Sequence, residues 1–130
     1  IIGDGIDTNH EDLLENYESS LSLDLDPNSN EFANKTLGTS MAGVVAARAN
    51  NSVCGVGVAF NSKFAEIRLN KNLDLDIVDS LTHKPMEISI YLNSWNSVDE
   101  SSIKQELGLL VKKALEDGAN FGRIGLGSIY

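Results

Sequence analysis

Short apolar runs alternate with stretches at helical spacing along this chain. Residues 1–6 open on Ile1 and Ile2 and run into a turn at Asp4-Gly5, the pattern of a short buried strand. Residues 10–17 carry Leu13 and Leu14 among polar neighbours, which predicts a helical turn, and residues 20–25 alternate apolar with polar as a half-buried strand does. Residues 26–35 are rich in Asn, Asp and Ser and read as loop. Residues 38–49 are small and apolar (Ala42, Gly43, Val44, Val45, Ala46, Ala47), the composition of a helix buried and tightly packed. A strand is expected over 64–69. A short helix is expected over 74–81, with Leu75, Val78 and Leu81 on one face. Residues 86–92 follow as a strand with Ile88, Ile90 and Leu92 on one face. The last helix has the clearest period: Ile103, Leu107, Leu110, Val111, Ala114 and Leu115, with Ser102 and Gln105 at capping-box spacing and Gly118 placed to end it.

Strands that alternate with helices predict an α/β fold with a parallel sheet. The chain has 130 residues, enough for one domain or a piece of one, and 42% of them are hydrophobic, enough for a modest core. Both ends fall in strand-like sequence, so the chain is expected to be incomplete at each of them. The formal net charge of -9 disfavours nucleic acid and anionic membrane surfaces as partners. It leaves basic peptides, metal cations or plain solvation open. No apolar run reaches the length of a transmembrane segment, and no basic-then-apolar opening reads as a signal peptide. Cys54 is the single cysteine, which rules out an internal disulfide. It reads as a buried apolar residue or as half of a bridge to another chain segment. Asn34-Lys35-Thr36 and Asn50-Asn51-Ser52 are glycosylation sequons, relevant only in a secretory compartment.

Three segments carry a family signal. Ile1-Ile2-Gly3-Asp4-Gly5-Ile6-Asp7 resembles the catalytic-Asp strand of subtilisin-type serine proteases, the subtilases. Gly38-Thr39-Ser40-Met41-Ala42-Gly43 resembles the helix that carries their catalytic His. Asn50-Asn51-Ser52-Val53-Cys54-Gly55-Val56-Gly57-Val58-Ala59-Phe60 is similar to a stretch of the kexin/furin-type proprotein convertases. Residues 90–95 and 125–130 extend the match, in family order.

Subtilases use a Ser nucleophile, a His base and an Asp that orients the imidazole. The resemblance puts the Asp position at Gly3 and the His position at Leu37. Asp4 is a neighbour on the opposite strand face, expected not to reach the base, and the resemblance implies a role for it in binding a basic substrate side chain. Leucine can neither accept nor return a proton. His10 and His83, the remaining histidines, read as solvated surface residues, and Ser40 as a helix-start residue. The chain reaches Tyr130 before the family's oxyanion Asn and its Gly-Thr-Ser nucleophile motif. The resemblance therefore implies a degenerate, catalytically inactive domain fragment. Two other readings stand beside it: part of an active calcium-dependent processing protease, and a non-enzymatic calcium- or peptide-binding module.

The resemblance also implies a calcium site made by Asp12, Asn51 and the carbonyls of Arg48, Val53 and Gly55. Against it, Asp12 also reads as a helix cap and Asn51 as a turn residue. Asp79 falls where the family lines a distal acidic pocket. Asp99 falls near a cleavage subsite and a second calcium, and Ser94-Trp95 at the floor of the substrate cleft, although Trp95 equally reads as core packing. Family membership implies the secretory pathway or the extracellular space. The resemblance implies the doubly wound family fold with a mostly parallel sheet. The part of it this chain supplies would leave a sheet edge unpaired and a helix face uncovered, so a marginal monomer awaiting a completing partner is expected.

Overall fold

The structure is a computed structural model that describes residues 1–25, 35–69, 74–93 and 107–130. Its centre is a parallel sheet. Strand β1 (Ile2–Gly3) and strand β2 (Leu23–Asp24) both pair with β3 (Ile67–Arg68), which lies between them. The register sets Ile2 and Leu23 against Ile67, and Gly3 and Asp24 against Arg68. Parallel bridges Ile2–Asn93 and Ile90–Ile129 continue the order on the other side of β1. Backbone bonds from Ile2 N to Leu92 O (2.8 Å) and from Tyr91 N to Ile129 O (2.8 Å) hold these additions. Read across, the order is β2, β3, β1, residues 90–93, then Ile129, so the chain reverses its direction of winding beside β1. This is the doubly wound plan, with a mostly parallel sheet, that the resemblance implies.

Helix α1 (Thr36–Ala46) precedes β3, α2 (Asp74–Thr82) follows it, and α3 (Leu109–Gly125) leads to the last bridge. Single 3₁₀ turns at Leu14–Asn16 and Ser19–Leu21 lie between β1 and β2. Apolar side chains gather into two cores. Ile2, Ile67, Leu81, Tyr91, Val111 and Ala114 join α2 and α3 to the sheet. Ile6, Leu13, Ala42, Ala46 and Phe64 join α1 to the turn after β1. Asn16 closes the second core as a buried clamp, its Nδ2 donating to Ala46 O (2.9 Å) and Phe60 O (2.8 Å). In the first core, burial and the neighbouring Tyr130 ring push the Tyr91 hydroxyl up to about 12, so it stays a neutral donor to His83 O at 2.7 Å.

Several sequence expectations need correction. Helix α1 is not buried all round: Gly38, Ala42 and Ala46 form the buried stripe, and Val44 faces solvent. Small residues permit close approach on any face, and only the i, i+4, i+8 row meets the sheet. On α2, Leu81 is buried and Ile77 and Val78 pack beside it, whereas Leu75 is exposed. Residues 84–88 form a turn around Lys84 and not the start of a strand, and the buried residue of the following segment is Tyr91, with Ile90 exposed. Parallel strands do not follow a clean alternation, because each face is covered by a different helix.

Gly118 does not end α3. It is buried within the helix, where an added Cβ would meet the Tyr130 hydroxyl at 1.7 Å. Gly122, one turn on, gives the same room to Ser128. The two glycines thus form a groove in which residues 127–130 lie, anchored by Ser128 N donating to Gly118 O (2.8 Å). Leu107 and Leu110 are exposed and Val111 and Ala114 are buried. Ile103 and the Ser102–Gln105 capping box lie outside the described residues.

Regular helix geometry in α3 fails at Gly122, after which Arg123 and Ile124 both take left-handed backbone (φ 50 and 60). Arg123 Nε donates to Gly127 O at 2.5 Å and Arg123 N to Pro85 O at 2.8 Å, which holds the turn. Ile124 is 89% exposed, so no burial of its side chain offsets the strain of a β-branched residue in that region. Ile124→Gly is expected to raise stability by about 1 kcal/mol. Urea unfolding should show a higher midpoint at unchanged slope.

Candidate functional site

In a doubly wound sheet, the crevice lies beyond the carboxyl ends of the strands where the winding reverses. Here that point is the end of β1, beside the end of residues 90–93. Gly3 is the last residue of β1, and the chain turns away through Asp4 and Gly5, the latter at φ 111. The first turn of α1 faces this bend.

Helix α1 has no cap of its own. Lys35 occupies the N-cap position without a side-chain bond, and no acidic residue lies in the first turn. Asp4 supplies the missing group: its Oδ1 accepts from Gly38 N at 3.0 Å. This is the third N–H of the helix, one that a cap residue normally satisfies, and an anion here also meets the positive end of the helix dipole. The contact requires glycine at position 38, where a Cβ would stand 2.2 Å from Gly5 O. A second tie runs the other way, from Asp7 N to Thr39 Oγ1 at 2.8 Å. Ser40, read as a helix-start residue, is the fifth residue of α1 and donates its hydroxyl back to Thr36 O at 2.7 Å.

The structure therefore brings Gly3, Asp4 and Leu37 to one place. Leu37 sits in the first turn of α1, one residue from the amide that Asp4 binds, and is 51% exposed. Asp4 reaches the backbone of α1, because the bend at Gly5 begins directly after it. It is committed there as a cap. Neither histidine joins them. His10 Nδ1 accepts from Asp12 N at 3.2 Å, and His83 Nε2 lies 3.2 Å from Leu21 O. Each ring thus meets backbone and is only partly exposed, His10 within its own turn and His83 against a residue 62 positions earlier.

Two of the candidate metal ligands, Asp12 and Asn51, meet. Asp12 is 4% exposed, and its Oδ1 accepts from Asn51 Nδ2 at 2.6 Å. Asn51 Oδ1 accepts from Val53 N at 3.1 Å, and Arg48 N donates to Asp12 O at 3.1 Å. Asp12 is thus no helix cap; the adjoining 3₁₀ turn has no side-chain cap. The loop at 50–55 folds back on itself through left-handed backbone at Asn50, Ser52 and Cys54 (φ 62, 62 and 41). Among the described residues no cationic side chain pairs with Asp12, because the Arg48 guanidinium turns outward to Glu15. A buried carboxylate bonded to a neutral side-chain amide suits a hard cation, and calcium takes carboxylate, amide and carbonyl oxygens. No cluster of three acidic, His or Cys side chains exists among the described residues, so a cation here would rely on amide and carbonyl oxygens. Cys54 is an exposed free thiol and not a buried apolar residue.

The remaining acidic candidates are not gathered. Asp79 is exposed on α2 and makes no hydrogen bond or ion pair among the described residues. Ser94, Trp95 and Asp99 lie outside the described residues. A cleft of about 330 Å³ that the sequence did not signal opens beside the ends of β2 and β3, bordered by Tyr17, Asp24, Lys35, Glu66 and Arg68. Its charges are largely spent internally: Arg68 Nε binds Asp24 Oδ1 at 3.1 Å, and Glu66 Oε1 accepts from Ile6 N at 2.6 Å. No local motif announces Glu66, whose partner lies 60 residues away. Among the described residues no helix is long and apolar enough to cross a membrane.

Comparison with known proteins agrees with this layout. Residues 1–129 match the model of the subtilase family. The chain is 42% identical to human neuroendocrine convertase 2 over 141 aligned positions, 44% identical to rat proprotein convertase subtilisin/kexin type 6 over 145, and 39% identical to the rat type 5 protein over 145. All of this chain is covered in each case, but only 22%, 15% and 8% of those relatives respectively.

Gly38→Ala is expected to force α1 away from β1 and to destabilise the fold by roughly 1–3 kcal/mol, more than the helix preference of alanine returns. Thermal unfolding of the variant, read by circular dichroism, checks this.

Proposed function

The chain belongs to the subtilase family, and from that membership we propose that it forms a degenerate convertase-like domain segment whose catalytic centre is silent. The observation that carries this reading is the Gly3–Asp4–Leu37 arrangement. At the end of β1 the position that orients the base has no side chain, and in the first turn of α1 the base position holds an isobutyl group. Two carboxylates lie at this bend, and each is held by a backbone amide: Asp4 by Gly38 N and Glu66 by Ile6 N. Acyl transfer to a serine needs a group that takes the hydroxyl proton and returns it to the leaving amine. No described side chain beside these residues can do so.

The expected outcome is no turnover of basic-pair peptide substrates above a blank, with calcium present, by the natural protein. Loss of the base alone lowers subtilase turnover on the order of 10⁶-fold, and the further loss of the Asp does not simply add to it. Turnover blocked by a serine-directed inhibitor would refute the reading.

Calcium binding is the second activity we propose, at Asp12 and Asn51 with the carbonyls of Arg48, Val53 and Gly55. It is supported by the buried, cation-free carboxylate of Asp12 and by the folded-back loop that supplies Asn51. Bound there, the ion would neutralise Asp12 and tie the turn after β1 to the loop after α1; its part is structural. Millimolar calcium should raise the melting temperature of the wild type by a few degrees, in line with one bound ligand at tens to hundreds of times its Kd. The shift should vanish in Asp12→Asn. An equal shift in both proteins would remove the site.

The convertase relatives favour a lumenal or extracellular location for this chain as part of the same proposal.

A further inference from the structure

We propose that Asn50 is an N-glycan acceptor, a modification site that depends on the lumenal location proposed above. The sequon is Asn50-Asn51-Ser52. Such tripeptides arise often by chance, and most of them are unusable once their side chains are packed or hydrogen-bonded. This one is presented. Asn50 and Ser52 are both exposed, and neither side chain makes a hydrogen bond among the described residues. The residue between them behaves oppositely: Asn51 turns inward and spends both ends of its amide, on Asp12 and on Val53.

The backbone explains the division. Asn50 and Ser52 both have φ 62. Left-handed residues on either side of Asn51 fold the loop sharply, so the middle side chain goes in and the flanking two go out. Asparagine is among the few residues that adopt this conformation readily. A glycan on Asn50 would therefore extend into solvent and leave the Asp12–Asn51 contact intact.

The chemistry needs a co-reactant of one class, a polyprenyl-diphosphate-linked oligosaccharide, with its membrane transferase. The Asn50 amide nitrogen attacks the anomeric carbon and a C–N bond forms. The anomeric C–O bond breaks, the polyprenyl diphosphate leaves with the electron pair, and the amide proton passes to base. Nothing is oxidised or reduced.

The test is translation of the full chain behind a cleavable signal in the presence of endoplasmic-reticulum microsomes, so that lumenal residence is imposed and verified by protease protection. The chain should carry a glycan at Asn50, read as conversion of Asn50 to Asp after enzymatic deglycosylation in ¹⁸O water. Asn50→Gln and Ser52→Ala should each lose that glycan, the second with Asn50 still in place. Asn34→Gln, in the other sequon, should leave it. A protected, signal-cleaved chain whose Asn50 stays unconverted would overturn the proposal, as would a glycan lost only in Asn34→Gln. Finding the natural chain outside the secretory pathway would instead refute the location, and the two failures are read separately.

Discussion

The bond from Gly38 N to the Asp4 carboxylate organises this molecule. Lys35, at the N-cap position of α1, makes no side-chain cap bond. A carboxylate 34 positions earlier in the chain fills that role. The bond is charge-assisted and acts on a helix end, where it contributes on the order of 1 kcal/mol. Its larger effect is geometric. It sets the end of β1 against the start of α1 at a separation that only a glycine at 38 permits.

That same contact sets Gly3, Asp4 and Leu37 side by side. The end of β1 and the first turn of α1 are tied through Asp4 to Gly38 and through Asp7 to Thr39. Neither Gly3 nor Leu37 brings a polar side chain to this place. Gly3 pairs with Arg68 in the sheet, and Leu37 is half in solvent. In the proposed reading chemistry and fold separate in this way, since function is carried by a few groups grafted on a common frame.

The loop after α1 follows a different logic. Its left-handed residues store strain that the surrounding contacts must offset. The return is the inward placement of Asn51, which meets the buried carboxylate of Asp12. Reading the loop as one object links three facts that the sequence lists separately: a candidate metal ligand, a sequon and an exposed thiol.

The sequence alone determined the alternation of strands and helices, the parallel sheet, the family, and the identity of the residues at Gly3 and Leu37. These follow from periodicity and motif, which are local properties of the chain. Tertiary structure decided what each face meets. Small residues in α1 did not say which row would be buried, Gly118 read as a helix end and proved to be a groove for Tyr130, and Leu75 was apolar yet exposed. It also decided that Asp4 caps a helix, that Asn51 turns toward Asp12, and that Glu66 holds Ile6. Those contacts join residues 34 to 60 positions apart, and no local pattern encodes a partner at that distance.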